Sequence, residues 1–253
     1  MARIGFIGTG QIAAPMIRTL ARDGHACCVS RRSEALSSAL ETECANVTAA
    51  ENQAVVDESD IVFLCIRPHL AHEVIEPLSF RAGQQIVSVM AGVSMADLMT
   101  LCAPAADISM TIPLGYLEAG GCPLAVYPTA EPLEAHFGKA NPVIPVSSED
   151  ALNSHFAVCA MVPGMLAMRE AGAGWLAQRT DDPDAAERYT TELMAGFLAA
   201  MDKGAGRLGT EKNELATDGT LSLMMVEALE QGGARDAMTG ARDAIERRLT
   251  PDA

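Results

Sequence analysis

The chain is short of positive charge. Its 253 residues carry 18 Lys and Arg against 33 Asp and Glu, a formal net charge of −15. So acidic a chain repels phosphate backbones and anionic lipid, which argues against a general nucleic-acid or membrane-surface binder. Any anionic ligand must therefore find locally basic groups. Long apolar runs are also missing, and none is expected to reach the ~18 consecutive residues of a membrane span. The first residues go straight into a strand pattern, and no signal-peptide pattern precedes it. The cysteine count, seven, is odd, and no C-x-x-C or C/H zinc spacing occurs. Reduced thiols in a cytoplasmic protein are the expectation. His69 and His72 suit one helix face, but two ligands fall short of a metal site, and no metal is expected.

The N-terminal stretch carries the strongest signal. Ile4, Phe6 and Ile7 make a short apolar run that reads as a buried strand. Gly8-x-Gly10-x-x-Ala13 follows at once, and then Ala14, Met16, Ile17, Leu20 and Ala21 recur at helical spacing. Strand, glycine turn and helix are the context in which this spacing means dinucleotide binding. Gly8 permits the tight turn, Gly10 lets backbone approach a pyrophosphate, and Ala13 lets helix and strand pack closely. Gly8, Thr9, Gly10, Gln11 and Ile12 are therefore cofactor candidates, with the helix N-terminus facing the phosphates. A second strand, Ala26 to Ser30, ends in Ser30-Arg31-Arg32-Ser33. Its end faces the adenosine ribose in this fold. No acidic residue stands there to take a 2′-OH, whereas Ser30, Arg31 and Arg32 suit a 2′-phosphate. The expected cofactor is NADP(H).

Further strands are read at Val47–Ala49, Asp60–Ile66, Gln85–Met90, Ile108–Thr111, Pro123–Tyr127 and Pro142–Val146, with helices among the earlier ones. The alternation predicts a doubly wound parallel sheet of Rossmann type over 1–148, an NADP-binding domain. Ligands in such sheets sit beyond the strand C-termini, which adds Ile66, Arg67, Pro68, Ala91 and Gly92 to the cofactor set. From 149 to 253 the pattern is α-helical. Pro163-Gly164 must kink or divide its first helix, and Asp182-Pro183 starts another. Met161, Met165, Met168, Met194, Met201, Met224 and Met225 exceed the needs of one small helical layer. They predict a homo-oligomer, dimeric or larger, formed through a helical dimerisation and substrate domain.

The order of these features resembles two reductase families. Gly8-x-Gly10 followed by Ala14-Pro15-Met16 is similar to the β-hydroxyacid dehydrogenases, but their Asp-Ala-Pro-Val-Ser-Gly segment is absent. Their catalytic lysine has no counterpart either, since only Lys203 and Lys212 follow Lys139. Nearly the whole chain resembles the pyrroline-5-carboxylate reductases instead. Arg67-Pro68 stands where that family has Lys-Pro after a strand. Ala91-Gly92-Val93-Ser94 matches its Ala-Gly-Ile/Val-Ser loop, and Ala228–Gly233 matches its Ala-Leu-Glu-x-Gly-Gly. The family's substrate loop, Ser-Pro-Gly-Gly-(Thr/Ala)-Thr, reads Thr217-Asp218-Gly219-Thr220-Leu221-Ser222 here. The resemblance makes Thr217, Gly219 and Thr220 substrate-binding and Ser222 the proton donor.

The family's proline and second glycine are lost from that loop. Its Ser-Gly-Ser-Gly-Pro helix start has become Cys159-Ala160-Met161-Val162-Pro163. The chemistry implied is hydride transfer to a C=N carbon, as in reduction of 1-pyrroline-5-carboxylate to L-proline. Such a step needs position, charge stabilisation and one hydroxyl, but no metal. Alternatives are reduction of another imine or a β-hydroxyacid, or an NADP-binding sensor without turnover.

Overall fold

The computed structural model describes residues 2–249. By contacts the chain divides into two units. One comprises the described residues of Met1–Phe156 and Glu246–Ala253, the other Ala157–Ile245. The sequence placed the domain boundary at 148/149, where α7 (Glu149–Cys159) begins. The division falls inside that helix instead, and the end of α12 (Ala234–Leu249) belongs to the first unit.

The first unit is built on β1 (Arg3–Ile7), β2 (Ala26–Ser30), β3 (Val47–Ala50), β4 (Ile61–Leu64), β5 (Gln85–Ser88), β6 (Asp107–Thr111), β7 (Leu124–Tyr127) and β8 (Val143–Pro145). They form one sheet in the order β3-β2-β1-β4-β5-β6-β7-β8. From β3 to β6 every pairing is parallel. β7 runs antiparallel to β6, and β8 is parallel to β7. The helices of this unit are α1 (Ala13–Arg22), α2 (Glu34–Glu43), α3 (Asn52–Glu58), α4 (Ala71–Ile75), α5 (Met95–Leu101) and α6 (Glu131–Phe137), together with most of α7. β4 is buried along its whole length, as its unbroken apolar run requires of a central parallel strand. α1 buries Ala13, Ala14, Met16, Ile17, Leu20 and Ala21 against the sheet. Phe6 stacks on Phe63 at 4.9 Å, and Phe63 meets Phe137 of α6 edge-on at 6.0 Å. α6 was not foreseen, because a seven-residue helix shows less than two turns of periodicity. Its local signs are Pro132 in the first turn and Glu131 at the start.

The second unit is helical, with α8 (Met161–Thr180), α9 (Pro183–Ala200), α10 (Arg207–Leu215), α11 (Leu221–Gln231) and most of α12. The break between α7 and α8 comes at Ala160, ahead of the predicted Pro163. A proline in the first turn of a helix lacks only an N–H that has no partner there. Asp182 caps α9 by accepting from the Ala185 N–H at 3.0 Å, and Pro183 follows it as the sequence implied. α8 and α9 pack on each other, yet the buried apolar residues of this unit are the alanines Ala157, Ala173 and Ala186. Leu166, Trp175, Tyr189, Leu193, Met224 and Met225 stay exposed. Glu149–Thr180 is, by length and composition alone, long and apolar enough to cross a membrane, although it holds no unbroken apolar run of that length. The break at Ala160 and the charges Arg169 and Glu170 hide that span from a search for unbroken apolar runs.

Candidate active site

Register explains why scattered residues share one edge of the first unit. Ile7 lies opposite Leu64, Phe6 opposite Val29, and Leu64 opposite Ser88. The loops after β1, β2, β4 and β5 therefore leave the C-terminal edge of the sheet together. That edge gathers Gly8–Ile12, Ser30–Arg32, Ile66–Pro68 and Ala91–Gly92, where ligands of open α/β sheets bind. Ile66 and Ala91 are half-buried, while Arg67, Pro68 and Gly92 are exposed.

The two glycines of the turn have different reasons to be glycine. Gly8 has φ +95°, and a Cβ there would lie 2.5 Å from the Cys65 carbonyl oxygen. Packing against the β4 loop thus demands it. At Gly10 no protein atom lies within 4 Å of a Cβ position, so nothing in the protein demands glycine there. α1 starts after Ile12 without a side-chain cap. The Ala14 N–H donates to the Gly10 carbonyl at 2.9 Å and Pro15 has none, which leaves the N–H groups of Ile12 and Ala13 to an anion.

The end of β2 divides its work in a way the sequence did not show. Ser30 and Thr9 are each only 1% exposed. The Ser30 hydroxyl accepts from the Gly8 N–H at 2.8 Å, and Thr9 Oγ1 donates to the Ser30 carbonyl at 2.7 Å. These two expected cofactor contacts are spent on the turn itself. Arg31 donates from Nε and Nη2 to the Ala49 carbonyl of β3, at 3.1 and 2.9 Å. Arg32 is exposed and has no acidic partner among the described residues. The signal for the Ser30–Gly8 link was a hydroxyl at the last position of a strand beside the glycine turn.

In the second unit, Thr217–Thr220 form a turn. The Thr220 N–H donates to the Thr217 carbonyl at 3.0 Å, and Gly219 takes φ +81°. A positive φ at the third residue is the type II arrangement, whose second position suits proline and here holds Asp218. Thr220 Oγ1 caps α11 by accepting from the Leu223 N–H at 3.2 Å, and donates to the Thr217 carbonyl at 2.7 Å. The predicted substrate contact Thr220 therefore has its hydroxyl occupied as a cap. Asp218 is exposed and leaves the capping to Thr220. Ser222 is exposed in the first turn of α11, and its hydroxyl makes no hydrogen bond among the described residues. A groove of about 560 Å³ elsewhere in this unit is lined by Met161, Met165, Met168, Leu229, Met238 and Ile245 among others, and by none of Thr217–Ser222.

Three of the thiols are held out of chemistry. Burial pushes Cys27 and Cys102 up to about 12, and raises Cys65 further still. Among the described residues no group of three or more His, Cys, Asp or Glu is placed to hold a metal ion.

Comparison with known proteins gives the same picture. A family described as NADP oxidoreductase coenzyme F420-dependent matches residues 3–92. Pyrroline-5-carboxylate reductase 3 of Danio rerio is 25% identical, over 97% of this chain and 90% of the relative. Over nearly its whole length the chain is similar to this pyrroline-5-carboxylate reductase. Two solved structures share the fold. The 1-pyrroline-5-carboxylate reductase of Streptococcus pyogenes superposes with a TM-score of 0.80 at 21% identity, covering 98% of both chains. The pyrroline carboxylate reductase of Plasmodium falciparum, with NADP bound, gives 0.83 at 12% identity, covering 98% of this chain and 97% of that one. The likeness to the pyrroline-5-carboxylate reductases thus runs through both units.

Proposed function

We propose that this chain is an NADPH-dependent reductase of a cyclic imine, with conversion of 1-pyrroline-5-carboxylate to L-proline as the first candidate reaction. The observation that carries the reading is the turn after β1. Gly10 leaves an open cradle that a Cβ would fill, and α1 presents an uncapped N-terminus beside it. A dinucleotide pyrophosphate fits both features. Arg32, without an acidic partner among the described residues of a chain of net charge −15, supplies a local positive group for a 2′-phosphate. NADPH, when bound, supplies the hydride for the C=N carbon. The protein's part is to position the imine and manage one proton. Thr217 and the backbone around Gly219 hold the polar substituent, and Ser222 holds the proton at the imine nitrogen.

Assembly and location belong to the same reading. The second unit buries only alanines among its apolar side chains, so a second copy of the chain is the natural cover for its exposed leucines and methionines. A homodimer or larger homo-oligomer follows, in the cytoplasm, where the free cysteines stay reduced. The deciding experiment mixes the purified protein with NADPH and a panel of cyclic imines, 1-pyrroline-5-carboxylate included. Loss of reduced-nicotinamide absorbance is expected with at least one of them. Tight NADPH binding without turnover of any would leave a sensor rather than an enzyme.

A further inference from the structure

Two imidazoles meet away from the cofactor edge. His25 lies in the turn between α1 and β2, and His136 lies on α6. Their ring centroids are 4.8 Å apart with the planes at 85°. The Nδ1 atom of each is shut off from solvent and has no hydrogen-bond partner among the described residues. A buried N–H without an acceptor costs more than a buried lone pair, so the packing disfavours a proton on either Nδ1. The His25 N–H also donates to the Leu20 carbonyl at 3.0 Å, closing the end of α1.

We propose that His25 and His136 form a proton-sensitive latch joining the end of α1 to α6. Protonating either ring creates an N–H at Nδ1, where no acceptor waits. Protonating both sets two cations in ring contact. The surroundings do not rescue them. Glu131, on α6 itself, draws a proton toward His136, but burial and the facing His25 outweigh it, and His136 is held below the ordinary imidazole value. At the end of α1, Arg22 is engaged with Glu118 at 2.6 Å, and Asp23 is exposed. From the β2–β3 side, Asn46 gives its amide to the Ala21 and His25 carbonyls. The Cys27 thiol, pushed up to about 12, stays neutral.

The direction of the effect follows from linkage. The folded chain favours the neutral His136, whereas the unfolded chain takes up a proton near 6.5. Below that pH the unfolded state binds more protons, so stability falls as pH falls. The latch is whole above about pH 6.5 and released in acid. Its release frees α6, which connects β7 to β8, and loosens the C-terminal end of the helix whose other end faces the proposed cofactor.

The test is histidine-ring NMR combined with amide hydrogen exchange between pH 8 and 5, on the full chain and on His136→Phe, which keeps an edge-on ring but cannot titrate. In the wild type, His136 should titrate below an ordinary histidine, and the His25 signal should move with it. Corrected protection of α6 amides should fall by up to about tenfold per pH unit below pH 6.5. In His136→Phe, where only His25 can still take up a proton, that fall should be clearly smaller. Ordinary or raised titration of His136, or an equal loss of protection in both proteins, overturns the proposal. If the variant does not fold, the wild-type titration decides alone.

Discussion

Ser30 and Arg32 stand two residues apart at the end of β2, yet their substitutions should read differently. Ser30→Ala removes the acceptor of the Gly8 N–H and loosens the glycine turn. It should weaken NADPH and NADH about equally, leaving their ratio unchanged. Arg32→Ala removes a free guanidinium and should lower that ratio, since charge-assisted bonds to phosphate are worth ~1.5–3 kcal/mol before screening. Paired titrations with both cofactors check this. A ratio that survives Arg32→Ala would move the 2′-phosphate contact elsewhere. Ser222→Ala should cut turnover by roughly 10²–10⁴, the scale of a lost general acid, with NADPH affinity unchanged. Asp218 sits unprotected at the second position of its turn, so Asp218→Asn should raise kcat/KM for a carboxylate-bearing imine and leave an uncharged imine unaffected. An equal change for both substrates would show that its charge does not face the site.

At the scale of elements, the glycine turn separates folding from binding. Gly8→Ala forces an alanine into positive φ with its Cβ against the Cys65 carbonyl. A destabilisation of about 1–3 kcal/mol is expected, visible as a lower Tm. Gly10→Ala meets no protein atom. Its Tm without cofactor should match the wild type, while NADPH binding weakens sharply. The reverse pattern would mean that the open space at Gly10 is not the cofactor's. The thiols offer a second check. Cys27 and Cys102, pushed up to about 12, and Cys65 beyond them should resist alkylation at pH 8 until denaturant is added. Mass spectrometry of the labelled protein would reveal any early modification.

At the scale of the whole molecule, the second unit lacks a core of its own. Its exposed Leu166, Leu193, Met224 and Met225 would each gain ~1.5–3 kcal/mol on full burial. The same feature accounts for a membrane-like stretch, Glu149–Thr180, in which only 17% of the most apolar window is buried. A covering partner chain explains that exposure without a bilayer. Leu166→Asp combined with Met225→Asp should shift the protein from dimer or larger toward monomer in analytical ultracentrifugation. A monodisperse wild-type monomer at micromolar concentration would remove the need for a partner.

The sequence by itself determined the fold at the N-terminal end of this protein. Strand, glycine turn and helix are local, so Ile4 to Ala21 had only to be read in order. The unbroken run Ile61–Leu64 likewise declared a strand buried on both faces. The short α6 escaped because a seven-residue helix has too little periodicity to show. Other features were decided only in three dimensions, where distant segments compete for the same groups. Ser30 and Thr9 had the right chemistry for a ligand, but the chain folds them against Gly8 and each other, and spends them there. The Thr220 hydroxyl was taken by its own helix as its N-cap, at the end of the turn in which Gly219 has positive φ. His25 and His136 are 111 positions apart, and no pattern along the chain pairs them. Only the packing of α6 against the end of α1 brings their rings together and shuts both Nδ1 atoms from solvent.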